Sequence, residues 1–214
     1  MEHKVSDALW VLQEPVQYVC LLIMASLYAF KIYQLMKKAG CSSIAFGIET
    51  GDPEVFELIQ KGETLDAVVD AVKYVKEVGI KAVGYFIIGL PGDSLKTFIQ
   101  TVRFQRSLKL SHFIFGMLIP YPNTEVWDIV EDRGHLLCDI TQSQHFADDI
   151  VPVSFELPEW PKEDLVRAFY ISKYYELFDS VQQAVERGVT PTAIYLTTPP
   201  LVNHMLRHDD SRRS

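Results

Sequence analysis

Three apolar segments recur along the chain, and each one is followed by a loop of glycine, proline and polar residues. They cover residues 43–48, 82–88 and 113–119. A continuous apolar run is typical of a parallel strand that is buried on both faces. Segments with helical periodicity lie between these runs, so strand and helix alternate along the chain. The alternation predicts an α/β fold with a parallel sheet and helices outside it.

The predicted helices have recognisable ends. One covers 31–39 and is closed by Gly40, and a short one starts at Asp52-Pro53, where Asp serves as the cap and Pro as the first helical residue. The segment 64–78 has the clearest helical period. Further helices are predicted at 94–108, at 124–131 and from Pro161 to about 187.

The loops after the predicted strands hold the candidate site residues. In a parallel barrel the functional groups lie at the carboxyl ends of the strands. Glu49 ends the first strand, and Gly89-Leu90-Pro91-Gly92 follows the second. Glu49 is either a ligand contact or a cap or ion-pair partner. The glycine loop either approaches a ligand with its backbone or forms a tight turn capped by Asp93 or Ser94, and both can hold together.

These phrases, in this order, resemble the second half of the radical S-adenosylmethionine (radical SAM) core, in the subgroup that often carries a cobalamin-binding domain upstream. In that subgroup the strand ends read like F-G-I-E-S-G, F-I-x-G-L-P-G-E-T and P-Y-P-G-T. This chain has Phe46-Gly47-Ile48-Glu49-Thr50-Gly51, then Phe86 to Ser94, then Pro120 to Thr124. It departs from the pattern with Thr50 for Ser, Asp93-Ser94 for Glu-Thr and Asn123 for Gly.

The resemblance implies a partial parallel (β/α) TIM-like barrel over 31–133, about half of a radical SAM core. It implies S-adenosylmethionine as a small-molecule cofactor and a [4Fe-4S] cluster in the parent family, and it leaves cobalamin open. The chemistry implied is the generation of a 5'-deoxyadenosyl radical, on a substrate that the resemblance does not identify. The cofactor-binding residues implied are Glu49, Thr50, Gly89, Leu90, Pro91 and Met117, although Met117 is equally a core residue.

The cluster motif of the family, C-x3-C-x2-C, has no counterpart here, because Cys20, Cys41 and Cys138 are far apart. The first three strands of the family barrel also find no counterpart. We therefore expect a fragment that is inactive alone and holds no cluster. The alternative is a non-catalytic half-barrel remnant or binding module that pairs with another chain. Half a barrel exposes two sheet edges, which favours aggregation or pairing with a missing N-terminal half.

The rest of the sequence divides into three further predicted regions. Residues 1–30 form an apolar segment that is atypical of the family, 134–206 form a C-terminal extension with a long helix, and 207–214 form a polar tail. The apolar stretch 16–30 is shorter than the roughly 18 residues of a membrane span, so a buried helix or strand is the favoured interpretation. His135, Cys138 and His145 are spaced too loosely to predict a metal site.

Composition narrows the partners and the compartment. The chain has 214 residues and a formal net charge of −8, which argues against a nonspecific nucleic-acid partner. A nucleic-acid substrate that is reached through other domains stays open. The three dispersed cysteines do not form a disulfide framework and fit the cytoplasm.

Overall fold

Helices and parallel strands alternate in the computed structural model, which describes residues 19–20, 27–138, 140 and 153–186, with the backbone alone at 19–20, 27–28 and 180–186. The predicted tail at 207–214 and most of 1–26 lie outside the described residues. The elements in chain order are β1 Val19–Cys20, α1 Leu27–Lys38, β2 Ser43–Glu49, α2 Pro53–Leu58, α3 Leu65–Glu77, β3 Lys81–Ile88, α4 Leu95–Leu108, β4 His112–Met117, α5 Glu125–Arg133, β5 His135–Leu136, β6 Phe155–Glu156 and α6 Lys162–Glu186.

The main sheet has four strands in the order β1-β2-β3-β4, and every neighbouring pair is parallel. Strands that follow one another in sequence and in space are the arrangement of a barrel wall, so the prediction of an α/β partial barrel is confirmed. The strand β1 lies in the apolar stretch 16–30, for which a buried helix or strand was expected, and it pairs with Ile44 and Ala45 of β2. The short strands β5 and β6 were not predicted. The helix α1 also begins at Leu27, before the predicted start at 31.

The two faces of the sheet differ. Ile44, Phe46 and Ile48 of β2 are fully buried in the core with α3, and Phe86 and Ile88 of β3 lie in the same core. The alternate positions face the other way, where the inner surface of a barrel would be. The expectation of burial on both faces holds over most of β2, where Ala45 on the alternate face is also buried, but not for β3 and β4, because Ile87 is half-buried and Ile114 is 38% exposed.

The helices start where their capping residues dictate. Asp52 accepts hydrogen bonds from the N–H groups of Glu54 and Val55, and Pro53 opens α2 as predicted. Thr64 caps α3, and Ser94 forms a capping box with Thr97 at the start of α4. These caps satisfy N–H groups that a helix leaves without an internal partner, and they fix the start of each helix just beyond a strand end.

The long helix α6 covers the outer edge of β4. The Phe115 N–H donates to Glu176 Oε1 at 2.8 Å, and Lys173 Nζ donates to the Phe115 carbonyl at 3.3 Å. Lys173 and Glu176 also pair with each other at 2.8 Å. The expectation of two exposed sheet edges is therefore wrong at β4, because side chains of α6 occupy the hydrogen-bonding groups of Phe115.

Candidate functional site

Glu49 lies at the carboxyl end of β2 with an unusual backbone. Its φ is +69°, in the left-handed region that residues with a side chain adopt at a cost. The pairing of β2 with β3 shifts register between Gly47 and Glu49. Such irregularities redirect side chains and are common near functional sites. Backbone strain at a strand end makes Glu49 the most distinctive of the predicted site residues.

The Glu49 carboxylate pairs with Lys61, which comes from the loop between α2 and α3. Lys61 Nζ lies 3.3 Å from Glu49 Oε1 and also donates to the carbonyl of Gly47. Both side chains are 23% exposed, so the pair stays in contact with solvent. The ion-pair alternative for Glu49 is thus present in the structure, while the partial exposure leaves the carboxylate accessible to a ligand.

Thr50 lies directly after Glu49 and is 1% exposed. Its hydroxyl is 3.0 Å from the hydroxyl of Thr101 on α4 and accepts the Asp52 N–H at 3.2 Å. The Gly51 N–H donates to Thr101 Oγ1 as well. Thr50 therefore ties the β2 loop to α4, and its predicted contact with a cofactor stays a prediction.

The loop after β3 turns through two glycines with positive φ, Gly89 at +94° and Gly92 at +80°. A Cβ atom at Gly89 would lie 3.1 Å from Leu165 of α6 and 3.4 Å from Phe155 of β6. Leu90 is 6% exposed, and Pro91 is half-buried. The C-terminal extension thus packs closely on this loop. The turn capped by Ser94 is present, and the predicted backbone contact with a ligand stays a prediction.

Asp93 is buried at the end of the same loop, where its carboxylate accepts hydrogen bonds from the start of α4. It is 2% exposed, and its Oδ1 accepts the N–H of Ser94 at 3.0 Å and the hydroxyl of Thr97. The pKa of Asp93 is raised to about 6, mainly by burial and to a smaller extent by the nearby Asp52 carboxylate. Hydrogen bonds from Thr97 and from the N–H groups of Ser94 and Gly89 partly oppose this rise in pKa.

Met117 occupies the end of β4. It is in register with Ile88, which is fully buried, and it packs against the main core. Its side chain therefore shares the helix-facing side of the sheet and not the inner side where Glu49 lies over Gly47. The core interpretation of Met117 has direct support, and its predicted cofactor contact is untested.

Sequence reasoning did not single out Tyr85. It is half-buried on the inner face of β3, in register with Gly47 on one side and Ile114 on the other. Alternation along β3 was the available signal, because Phe86 and Ile88 point into the core. The contacts of Lys61 with Gly47 and Glu49 join residues from separate elements, which a linear pattern does not reveal.

The parallel strands are consecutive in sequence and in space, and the candidate residues lie in the loops at their carboxyl ends. This arrangement is typical of α/β-barrel proteins. Within that class, the sequence model of the radical SAM superfamily matches residues 3–104. The chain belongs to the radical SAM superfamily. The match begins at residue 3, so it includes the N-terminal segment that the sequence analysis set apart.

Curated relatives agree with this assignment. The chain is 33% identical over 144 residues to an uncharacterized methyltransferase of Pyrococcus horikoshii, covering 67% of this chain and 31% of the relative. It is 29% identical over 121 residues to the bacteriochlorophyllide d C-12(1)-methyltransferase of Chlorobaculum tepidum, covering 54% and 26%. It is 25% identical over 150 residues to the hopanoid C-2 methylase of Rhodopseudomonas palustris, covering 70% and 28%. The chain thus spans about a quarter to a third of the length of these relatives.

Solved structures show weaker similarity. The radical SAM methyltransferase TsrM of Kitasatospora setae, solved with cobalamin and a [4Fe-4S] cluster, aligns at 23% identity and a TM-score of 0.40, over 49% of this chain and 19% of that one. Coproporphyrinogen III oxidase (HemN) of Escherichia coli aligns at 13% identity and a TM-score of 0.49, over 74% and 41%. The family assignment rests on the sequence matches.

The cysteines of this chain do not fit an iron–sulfur cluster. Cys20 lies in β1 beside Ala45, Cys41 is buried just before β2 with its Sγ 3.4 Å from the Ser43 carbonyl, and Cys138 follows β5. A cluster needs thiolates that converge on one site. Among the described residues, no group of three His, Cys, Asp or Glu side chains is placed to hold a metal ion.

The strand ends fit S-adenosylmethionine better than the cysteines fit a cluster. Glu49 offers a partly exposed carboxylate, which accepts hydrogen bonds from hydroxyl or ammonium groups.

Among the helices that the structure describes, none has the length and apolar character of a membrane span.

Proposed function

We propose that this chain forms the C-terminal half of a radical SAM barrel and that an N-terminal half with the C-x3-C-x2-C motif completes the enzyme. The Glu49 carboxylate at the inner carboxyl end of the parallel sheet is the observation that carries this proposal. The cluster of the completed enzyme would supply the electron for cleavage of S-adenosylmethionine. This chain would supply one wall of the cofactor pocket and is inactive alone.

The wall contributes polar contacts from one strand end and backbone from the next. Glu49 accepts from the ribose or the ammonium group of the cofactor, and the loop from Gly89 to Pro91 lines the adenine. Thr50 and Met117 are the weaker members of the proposed set, since Thr50 is buried against Thr101 and Met117 packs into the core. Cytoplasmic localisation accompanies this proposal because a reduced cluster requires reducing surroundings.

The proposed reaction class is methyl transfer. Its support is that the relatives described above are named as methyltransferases or a methylase. Cobalamin is a candidate second cofactor of the completed enzyme. The substrate contacts lie in segments that vary between enzymes of one fold, so no substrate is proposed.

Glu49→Ala tests the proposal in the completed enzyme. It should weaken binding of S-adenosylmethionine by about 1–3 kcal/mol, the usual loss for a charge-assisted hydrogen bond, and leave the iron content unchanged. Calorimetric titration measures the affinity. Glu77→Ala, an exposed carboxylate near the end of α3, is the matched control. Wild-type affinity in Glu49→Ala would return Glu49 to a purely structural role.

The rival function is a non-catalytic half-barrel that pairs with another chain. The misfit of the three cysteines to a cluster favours it. Sequencing the DNA upstream separates the two functions. A C-x3-C-x2-C codon pattern, in frame or in a neighbouring frame, supports the enzyme, and its absence supports the pairing module.

A further inference from the structure

The loop that carries Lys61 has a constrained backbone. Gln60 before it and Gly62 after it both have positive φ, at +50° and +72°. Two left-handed residues around one lysine turn the chain back from α2 toward the end of β2. The turn brings the Lys61 ammonium to a residue fourteen positions earlier, the carbonyl of Gly47.

The same ammonium group contacts both sides of the register shift in β2. It donates to the Gly47 carbonyl and to Glu49 Oε1, and the shift lies between these two residues. A partly exposed ion pair contributes little to stability. A contribution to the free energy of folding therefore does not explain the Lys61–Glu49 pair. The pair does, however, fix the orientation of the Glu49 carboxylate.

Gly47 provides the space in which the carboxylate lies. A Cβ atom at this position would be 2.6 Å from Glu49 Oε1 and 3.6 Å from Lys61 Nζ. Cβ atoms essentially never lie within 3 Å of a non-bonded heavy atom, so any larger residue must displace the flexible carboxylate. Gly47 does not need its conformational freedom here, since its φ is not in the left-handed region. Its requirement is steric.

We propose that Lys61 and Gly47 are positioning residues that hold the Glu49 carboxylate on the inner face of the sheet. Lys61 fixes the carboxylate by charge and hydrogen bond, and Gly47 leaves the space under it. Both act through Glu49. The functional value of this arrangement rests on the proposed function, in which Glu49 accepts a hydroxyl or ammonium group of the cofactor.

Structures of variants of the whole chain test the positioning directly. In Lys61→Met, the Glu49 carboxylate should leave its place above Gly47, because methionine cannot donate to Gly47 or Glu49. Lys61→Arg should keep it there, since a guanidinium group still donates to both oxygens. Lys73→Met, at an exposed lysine of α3, is the control and should match the wild type. An unmoved carboxylate in Lys61→Met would overturn the proposal.

Gly47→Ala tests the steric part and has a matched control on the same face. Gly116 of β4 has only the Phe86 carbonyl near its Cβ position, at 4.0 Å. Gly47→Ala should therefore displace the Glu49 carboxylate, and Gly116→Ala should leave it in place. Retention of the carboxylate in Gly47→Ala contradicts the steric role.

A double-mutant cycle in the completed enzyme separates this proposal from the proposed function, with S-adenosylhomocysteine as the probe. Lys61→Met should weaken binding about tenfold in the wild type and cause no further loss when Glu49 is already Ala. A further loss in that background would show that Lys61 contacts the probe itself, which overturns the positioning role. If Glu49→Ala binds like the wild type while Lys61→Met still displaces the carboxylate, the proposed function fails and the positioning stands.

Discussion

Asp93 is a buried carboxyl group whose charge opposes folding. Its carboxyl group is nearly inaccessible to water, and Asp52 lies close enough to repel it. Burial raises the pKa of Asp93 to about 6 from an ordinary value of 3.8. The folded protein therefore binds a proton at Asp93 more readily than the unfolded chain does. Its contribution to stability is complete below about pH 4 and is lost as the pH rises through 6.

Asp93→Asn should remove this pH dependence. Urea unfolding measures the free energy of unfolding of the wild type and of the variant at pH 4.5 and at pH 7. The change between the two pH values should differ between the two proteins by on the order of 2 kcal/mol. The variant should lose less stability than the wild type over this range, because Asn carries no charge. Asp70→Asn, at an exposed carboxylate of α3, should follow the wild-type dependence. Equal pH dependence in Asp93→Asn and the wild type would show that Asp93 does not titrate between these values.

The elements follow the local pattern closely, whereas the contacts between them do not. The strands at 43–49 and 81–88 were predicted within one residue, because an apolar run bounded by glycine and polar residues is a local signal. Asp52 was predicted as a cap and Ser94 as one of two candidate caps, from their positions before helices. The Thr50–Thr101 contact, the Lys61–Glu49 pair and the closure of β4 by α6 depend on how distant segments meet. The periodicity of apolar residues along the sequence does not predict such contacts between distant segments.

Alternation within β3 gives a second prediction, at the level of the element. Ile88 is fully buried and faces the helices, whereas Ile87 is half-buried on the inner face. Ile88→Asp should lower the free energy of unfolding by more than about 3 kcal/mol, because it buries a charge without a partner. Ile87→Asp is the matched control and should cost clearly less. Denaturant unfolding measures both, and equal losses would contradict the assignment of the two faces.

The closed edge of β4 gives a third prediction. Replacing both Lys173 and Glu176 by Ala frees the N–H and carbonyl of Phe115, and an unpaired edge strand is a template for association. We expect concentration-dependent self-association, measured by light scattering during size-exclusion chromatography. The control is the double Ala variant of Asp164 and Arg167. These residues form an exposed ion pair near the start of the same helix, and they are also three positions apart. Equal association in both variants would show that the pair does not protect the edge.

At the scale of the whole molecule, the described residues form a wall rather than an enclosed site. Its outer face is buried under helices, and its inner face holds the half-buried Tyr85 and Ile87 and the more exposed Ile114. Reactive intermediates require exclusion of water, which a wall with one open face does not provide. The proposed radical chemistry would therefore need a further element over the inner face.

The last prediction follows from the cysteines of the whole chain. This chain, reconstituted with iron and sulfide without oxygen, should not assemble a [4Fe-4S] cluster, because Cys41 lies before β2, Cys138 follows β5 and Cys20 belongs to β1. The sheet and its helices fix these positions, and bringing the thiolates together would require breaking the β1–β2 pairing or the core. Iron analysis and visible absorbance measure the outcome. The proposed completed enzyme is the positive control, since the proposed N-terminal half would supply three thiolates on one loop. A stable cluster in this chain alone would show that its cysteines converge after all and would remove the main reason for proposing a second half.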